Sequence, residues 1–450
     1  MPASPRTARA INDRLALRLL QDRGPLTAGQ LKQLTGLSRP TVADLVERLT
    51  TAGLIEVVGE AGEQRRGPNA KLYGIVADRA HLVALDVRTE GVAVLVSDLV
   101  GRVLAEASVP IGGDTGTGPA VERAVTLVER VVKEAGADRL HTVGIGAPGL
   151  IDPASGELRD SSGLPAWHRR LAAALQERLP EARVSVENET NLAALAEQRE
   201  GVARDRDTFV LLWLGHGTGA AVVLDGALRR GASGGTGEIG FLPVPGTGGL
   251  PSATDCEGGF HSLAGSAAIV ALAAEHGLEP SPEGDEPRGA AAVREAVLTV
   301  GGGRGVEAGR GDGAAPAAQT GGEAASGRAA GPRTPPGGPA EPTPVAPREA
   351  DPAPDAARAA AARFLDALAD RLALGAASVV AVLDPGCVVL GGEVGRAGGE
   401  VLAARVEERL RRMAPPPTEV RPSGLGGAAV LRGALLTARE SAQAQLFGTP

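Results

Sequence analysis

Four groups of residues have types and spacings that chemistry can use. Ser38-Arg39-Pro40-Thr41 opens a helical pattern just after a Gly36-Leu37 turn. The Ser38 hydroxyl can cap that helix, and Pro40 is favoured in its first turn, where a missing N–H would be unpaired anyway. Arg39 and Thr41 would then lead the helix into a DNA major groove, where such side chains read base edges. Arg65-Arg66-Gly67-Pro68 forms a basic tip suited to an adjacent minor groove, whose negative potential favours arginine. Gly215-His216-Gly217-Thr218-Gly219 lies between two apolar runs and has two readings, a phosphate-approaching loop or a tight hairpin. Cys256 and Cys387 are the only cysteines, which excludes a disulfide framework and fits a reducing compartment.

The elements that must hold the first two groups are legible. Ile11, Leu15, Leu19 and Leu20 recur at helical spacing up to Arg23-Gly24-Pro25. Thr27 can cap a second helix carrying Leu31 and Leu34, and Val42, Leu45, Val46 and Leu49 give the third its buried stripe. After Gly53, LIEVVGE and KLYGIV read as strands of a hairpin with the arginine tip between them. Three helices and a hairpin make a winged helix-turn-helix. A small bundle for protein contacts is the alternative; the capped third helix, the turn spacing and the basic wing together favour double-stranded DNA. Residues 1–75 carry a net charge of +4 in a chain of −8, so a basic head joins an acidic body.

The body is an α/β pattern. HLVALDV, VAVLVSD and TVGIGAPGLID read as strands around a helix from Pro119 to Ala135. VSVENETNLAALAE runs from strand into helix, and FVLLWLGHGTGAAVVLDG is strand, turn, strand. Aromatic residues are 2% of the chain, so the cores must be built from Ala, Val and Leu. The N-terminus reads as no signal peptide and no segment approaches the roughly 20 apolar residues of a membrane span, so a cytoplasmic protein without membrane contact is expected.

The segments Gly144-Ile145-Gly146-Ala147-Pro148-Gly149, Glu187-Asn188-Glu189-Thr190-Asn191 with Ala196-Glu197, Gly237-Glu238-Ile239-Gly240, and Leu383-Asp384-Pro385 with Leu390-Gly391-Gly392 occur in this order. Behind a winged helix-turn-helix, that order resembles the ROK (repressor, open reading frame, kinase) family. The resemblance implies a two-lobed, actin-like body of the sugar-kinase, ribonuclease H-like type. It also implies that the head marks a regulator of the xylose-repressor and N-acetylglucosamine-repressor kind. In the family's pattern Asn188, the acid at position 189 and Glu238 contact sugar hydroxyls, and His261 stands where a further sugar-binding Glu is usual.

Four departures bear on chemistry. The kinases begin their body with Asp-x-Gly-Gly-Thr, whose glycines admit nucleotide phosphates; this chain has Asp86-Val87-Arg88-Thr89-Glu90. The family's catalytic Asp is Glu189 here, one methylene longer than catalytic geometry tolerates. Phe241 replaces a His, and one Cys with one nearby His cannot complete the family's four-ligand zinc site. The change of two of five sugar contacts points to an altered ligand, to weak binding or to none. No catalytic residue, metal or cofactor is therefore expected.

Residues 280–356, rich in Gly, Pro, Ala and Glu, read as a disordered insertion with a short helix over Ala291 to Val300 and order resuming at Arg358. The expected organisation is a separate head (1–77), a first lobe (78–200) and a second lobe with the insertion (201–450). The expected function is a DNA-binding regulator, acting as a repressor on an operator. It would work as a homodimer or dimer of dimers and sense a sugar or sugar derivative. An active ATP-dependent sugar kinase with an accessory head, and a ligand-free dimerisation scaffold, are the alternatives.

Overall fold

The computed structural model describes residues 5–61, 70–159, 164–252, 257–279, 286–301 and 354–447. The head runs α1 (Pro5–Arg23), β1 (Leu26–Thr27), α2 (Ala28–Thr35), α3 (Arg39–Thr51), β2 (Ile55–Ala61) and β3 (Ala70–Ile75), with the strands ordered β1-β3-β2. Thr27 and Gln30 form a reciprocal capping box on α2, and Gly36 ends it at φ +70°. Val42, Leu45, Val46 and Leu49 are all buried on α3, as the periodicity predicts.

Helix α1 turns a different face inward. Ala16, Leu17 and Leu20 are buried, whereas Ile11 and Leu15 are 57% and 40% exposed. The reason is tertiary: α1 is clamped between α2, β3 and the far end of the chain, so docking selects the face rather than the count of large apolar residues.

Two five-stranded sheets follow, and they share one plan. The first contains β4 (His81–Arg88), β5 (Gly91–Asp98), β6 (Val103–Pro110), β7 (Leu140–Ala147) and β8 (Arg183–Asn188), ordered β6-β5-β4-β7-β8. Helices α4 (Thr117–Glu134) and α5 (Trp167–Arg178) cover one face, and α6 (Glu189–Arg199) leads towards the second sheet. The second contains β9 (Phe209–Leu214), β10 (Thr218–Leu224), β11 (Ala227–Arg229), then β12 (Cys387–Gly391) and β13 (Glu419–Pro422), ordered β11-β10-β9-β12-β13. In each sheet two antiparallel pairings are followed by two parallel ones. Helices α7 (His261–Ala264), α8 (Ser266–Glu275), α9 (Arg288–Gly301), α10 (Pro354–Leu383) and α11 (Gly392–Met413) pack around the second sheet.

The final helix, α12 (Ala429–Leu446), corrects the expected boundaries. It follows the second sheet in sequence but packs against β4, β7 and α6 of the first lobe. The head is not isolated either: Leu17, Leu20, Leu31 and Leu45 share one apolar cluster with Leu82, Val430, Ala434 and Ala438. The insertion is also narrower than expected. Helix α9 begins at Arg288 and buries Ala290, Ala291, Ala292, Val293 and Ala296 in the second-lobe core, and α10 starts at Pro354, ahead of Arg358. Its small alanines hide this role in composition, yet they let helices approach closely. The remainder, 280–285 and 302–353, lies outside the described residues. No described helix is long and apolar enough to cross a membrane.

Candidate functional site

A cleft of about 2100 Å³ opens between the sheets, and Asp86, Arg88, Asn188, Glu189, Glu238 and His261 all line it. Strand β8 ends at Asn188, whose side chain caps α6 by accepting from Thr190 N (2.9 Å) and Asn191 N (3.2 Å). Its Nδ2 donates to Gly149 O (3.1 Å) and to Glu189 Oε2 (2.9 Å). All four hydrogen-bonding positions of Asn188 are thus engaged internally. Next to it, Glu187 accepts from Asn188 N, from Asn191 Nδ2 (3.0 Å) and from Arg230 Nε (2.6 Å), which fixes the strand-to-helix corner.

Glu189 points into this corner. Burial, reinforced by the Asp86, Glu238 and Glu393 carboxylates, pushes its carboxyl up to about 8. Near neutral pH its carboxyl is therefore mostly protonated, with Oε2 accepting from Asn188 Nδ2. Burial likewise raises the Glu238 carboxyl; burial, then the charge of the neighbouring His216, lowers the His261 imidazole, which is neutral near neutral pH. Phe241 is 37% exposed on the cleft wall.

Arg88 ends β4 at the position of the first glycine in the kinase pattern Asp-x-Gly-Gly-Thr. Its Nε and Nη2 lie 2.8 and 2.7 Å from Asp86 Oδ2, its Nη1 is 3.4 Å from Glu393 Oε1, and its Nη2 donates to Gly427 O at 3.3 Å. Burial pushes the Asp86 carboxyl up, and the guanidinium forked onto it opposes that. One side chain from the first sheet therefore grips the start of α11 at Glu393 and the turn after β13 at Gly427.

Gly215–Gly217 form the tight turn of the β9–β10 hairpin, and Thr218 and Gly219 already belong to β10. A Cβ on Gly215 would come 2.4 Å from Glu393 Oε2, so the glycine makes room for a carboxylate of the chain itself. Sequence reading singled out Gly391-Gly392 and passed over Glu393; its position at the first turn of α11 was the available signal. Glu197, which the sequence offered only as part of the family's segment, is fully buried and accepts from Val202 N, Ser423 Oγ and Leu425 N, tying α6 to the turn before α12.

In the head, Ser38 Oγ accepts from Thr41 N at 3.3 Å and lies 2.7 Å from the Thr41 hydroxyl. The expected cap is present, and it occupies the hydroxyl that was expected to face a base. Arg39 and Pro40 are exposed beside it, and so are Asp44 and Glu47 further along α3. Arg65, Arg66, Gly67 and Pro68 lie outside the described residues, as does Cys256; Cys387 is buried, which pushes its thiol up to about 11.

The ROK family profile matches residues 82–284 and 325–441, well over half of the chain. The chain belongs to the ROK family. A MarR family profile matches residues 11–67, from α1 through β2 of the winged helix-turn-helix. The xylose repressor of Caldicellulosiruptor bescii is 28% identical over 240 residues, covering 52% of this chain and 59% of that repressor. The Escherichia coli K12 DNA-binding transcriptional dual regulator NagC is 26% identical over 242 residues, covering 52% of this chain and 57% of NagC. This ROK chain thus matches less than two thirds of the length of these curated relatives. Among solved structures, a ROK family transcriptional regulator, homologue of the E. coli MLC protein, aligns over 98% of both chains with a TM-score of 0.67 and 20% identity, a likeness of fold. A ROK hexokinase from Thermus thermophilus aligns over 81% of this chain and 99% of its own, with a TM-score of 0.55 and 26% identity. The family thus holds both regulators and kinases on this fold.

Proposed function

We propose that this ROK protein is a DNA-binding transcriptional regulator, a repressor, whose cleft senses a sugar or sugar derivative without phosphorylating it. Its partners would be an operator duplex, the sugar and a second copy of the chain. Arg39 would meet the major groove and the 65–68 tip the minor groove. Asn188 would position Glu189, and Glu189, Glu238 and His261 would face the effector. The head (residues 1–77) acts on DNA and the two lobes bind ligand.

The observation that carries the regulator reading is Arg88 locked onto Asp86 and Glu393, where a kinase must admit nucleotide phosphate. Glu189, protonated near neutral pH, is also poorly suited to accept a sugar hydroxyl's proton. The printed names of the xylose repressor and NagC support the same reading. Purified protein with ATP, magnesium and a hexose panel is the test. No phosphorylation above background is expected, and turnover in the usual enzyme range of about 1–10³ s⁻¹ would overturn the reading.

A further inference from the structure

Helix α12 touches the cleft at one end and the head at the other. It follows the turn at Gly426–Ala428 directly, and Gly427 O is the carbonyl that Arg88 holds at 3.3 Å. The preceding turn is fixed by Glu197 of α6. Along its first two turns, Ala429, Val430, Leu431, Ala434 and Leu435 are buried. A Cβ on Gly433 would lie 2.0 Å from Leu192 O, so α12 and α6 meet backbone to backbone. Such an interface resists sliding in small steps. Helix α6 itself begins at Glu189, on the cleft.

At the far end, after about 21 Å of helix, Gln443 Nε2 donates to Gln21 Oε1 of α1 at 2.8 Å. Gln21 Nε2 in turn donates to Val100 O at 3.1 Å. Ala438 and Ala442 lie in the apolar cluster that contains Ala16, Leu17 and Leu20 of α1 and Val42 and Leu45 of α3. The head is therefore seated on α12 by packing and by a side-chain amide pair.

From this continuity we propose that α12 is the lever through which the cleft addresses the DNA-binding head, and that Arg88 is the positioning residue that sets it. The proposal rests on the regulator reading. Any ligand that draws Asp86 or Glu393 away from Arg88 frees the Gly427 carbonyl, and the helix that starts there shifts with α6. Its Gln443 end then carries α1, and with it the orientation of α3. Coupling of this kind needs an element with two arrangements that both sites bias.

The test uses the full chain without added ligand, and a duplex selected by this protein from a random-sequence pool. Arg88→Lys keeps a cation beside the buried Asp86, which protects folding, but one ammonium cannot span Asp86, Glu393 and Gly427 O together. Arg88→Lys is expected to change the duplex Kd by about fivefold or more. It should also speed amide exchange in both α12 and α1. In a Gln443→Ala background the same substitution should alter Kd by less than about twofold, since the two sites act through one element. An Arg88→Lys effect of equal size in both backgrounds, or none in either, overturns the lever. If the parent selects no duplex, the regulator reading fails instead, and the exchange arm still decides: α1 exchange that ignores Arg88→Lys overturns the lever, and faster exchange supports it.

Discussion

The Arg88 guanidinium lies 2.7 Å from the Asp86 carboxylate and 3.4 Å from that of Glu393, a residue 305 positions later in the chain. Asp86 is almost fully buried, so this contact matters for stability. Arg88→Ala leaves a buried carboxylate without its partner, which costs about 1–3 kcal/mol. The lower part of that range applies because the Arg88 side chain is 41% exposed and Asp86 can take up a proton. Adding Asp86→Asn should recover most of the loss. Urea denaturation of the two single variants and the double variant measures it, and purely additive losses would contradict the pairing.

Glu189 makes stability depend on pH. Its carboxyl titrates near 8 in the folded chain against an ordinary value of 4.5. Between these values the folded state holds a proton that the unfolded state has released, so stability is full below about 4.5 and declines as pH rises towards about 8. Glu189→Gln should flatten that decline and make the protein more stable than the parent near pH 8. Thermal melts from pH 5 to 9 test this; an unchanged slope in the variant counts against a buried, protonated Glu189.

Much of this was readable in the residues themselves. Ser38 capping α3, the Thr27 cap and the strand-to-helix corner at Asn188 follow from local rules that act over three or four residues. The pairing of Arg88 with Glu393 does not, because only the closing of the two lobes brings them together. The same holds for α12: its sequence follows the second sheet, and nothing local tells that Gly433 will lie against Leu192 in the first lobe. Helix α9 is expected from the sequence over Ala291 to Val300, but its burial in the second-lobe core is not, for another reason. Its alanines resemble the composition around them, and their burial depends on neighbours at α8, α10 and α11.

The head makes two separable predictions on a duplex selected in vitro. Arg39→Ala should cost about 1–3 kcal/mol of specific binding, with sequence preference relaxed at one position. Arg65→Ala with Arg66→Ala should lower affinity for all sequences and flatten the salt dependence by roughly one phosphate contact per arginine lost. Fluorescence anisotropy across a salt series distinguishes them, and unchanged binding in both variants would refute the placement.

The central claim is that sugar in the cleft and DNA at the head are energetically linked. The direct measurement titrates neutral sugars and sugar phosphates into the complex of the full chain with its selected duplex. The account predicts that at least one compound changes duplex affinity by roughly 5–150-fold, and that duplex changes the affinity for that compound by the same factor. Glu238→Gln, which alters a cleft carboxylate that faces no head residue, should remove the response. A duplex affinity that no compound alters, or a Glu238→Gln variant that responds like the parent, would contradict the account and leave the body a scaffold.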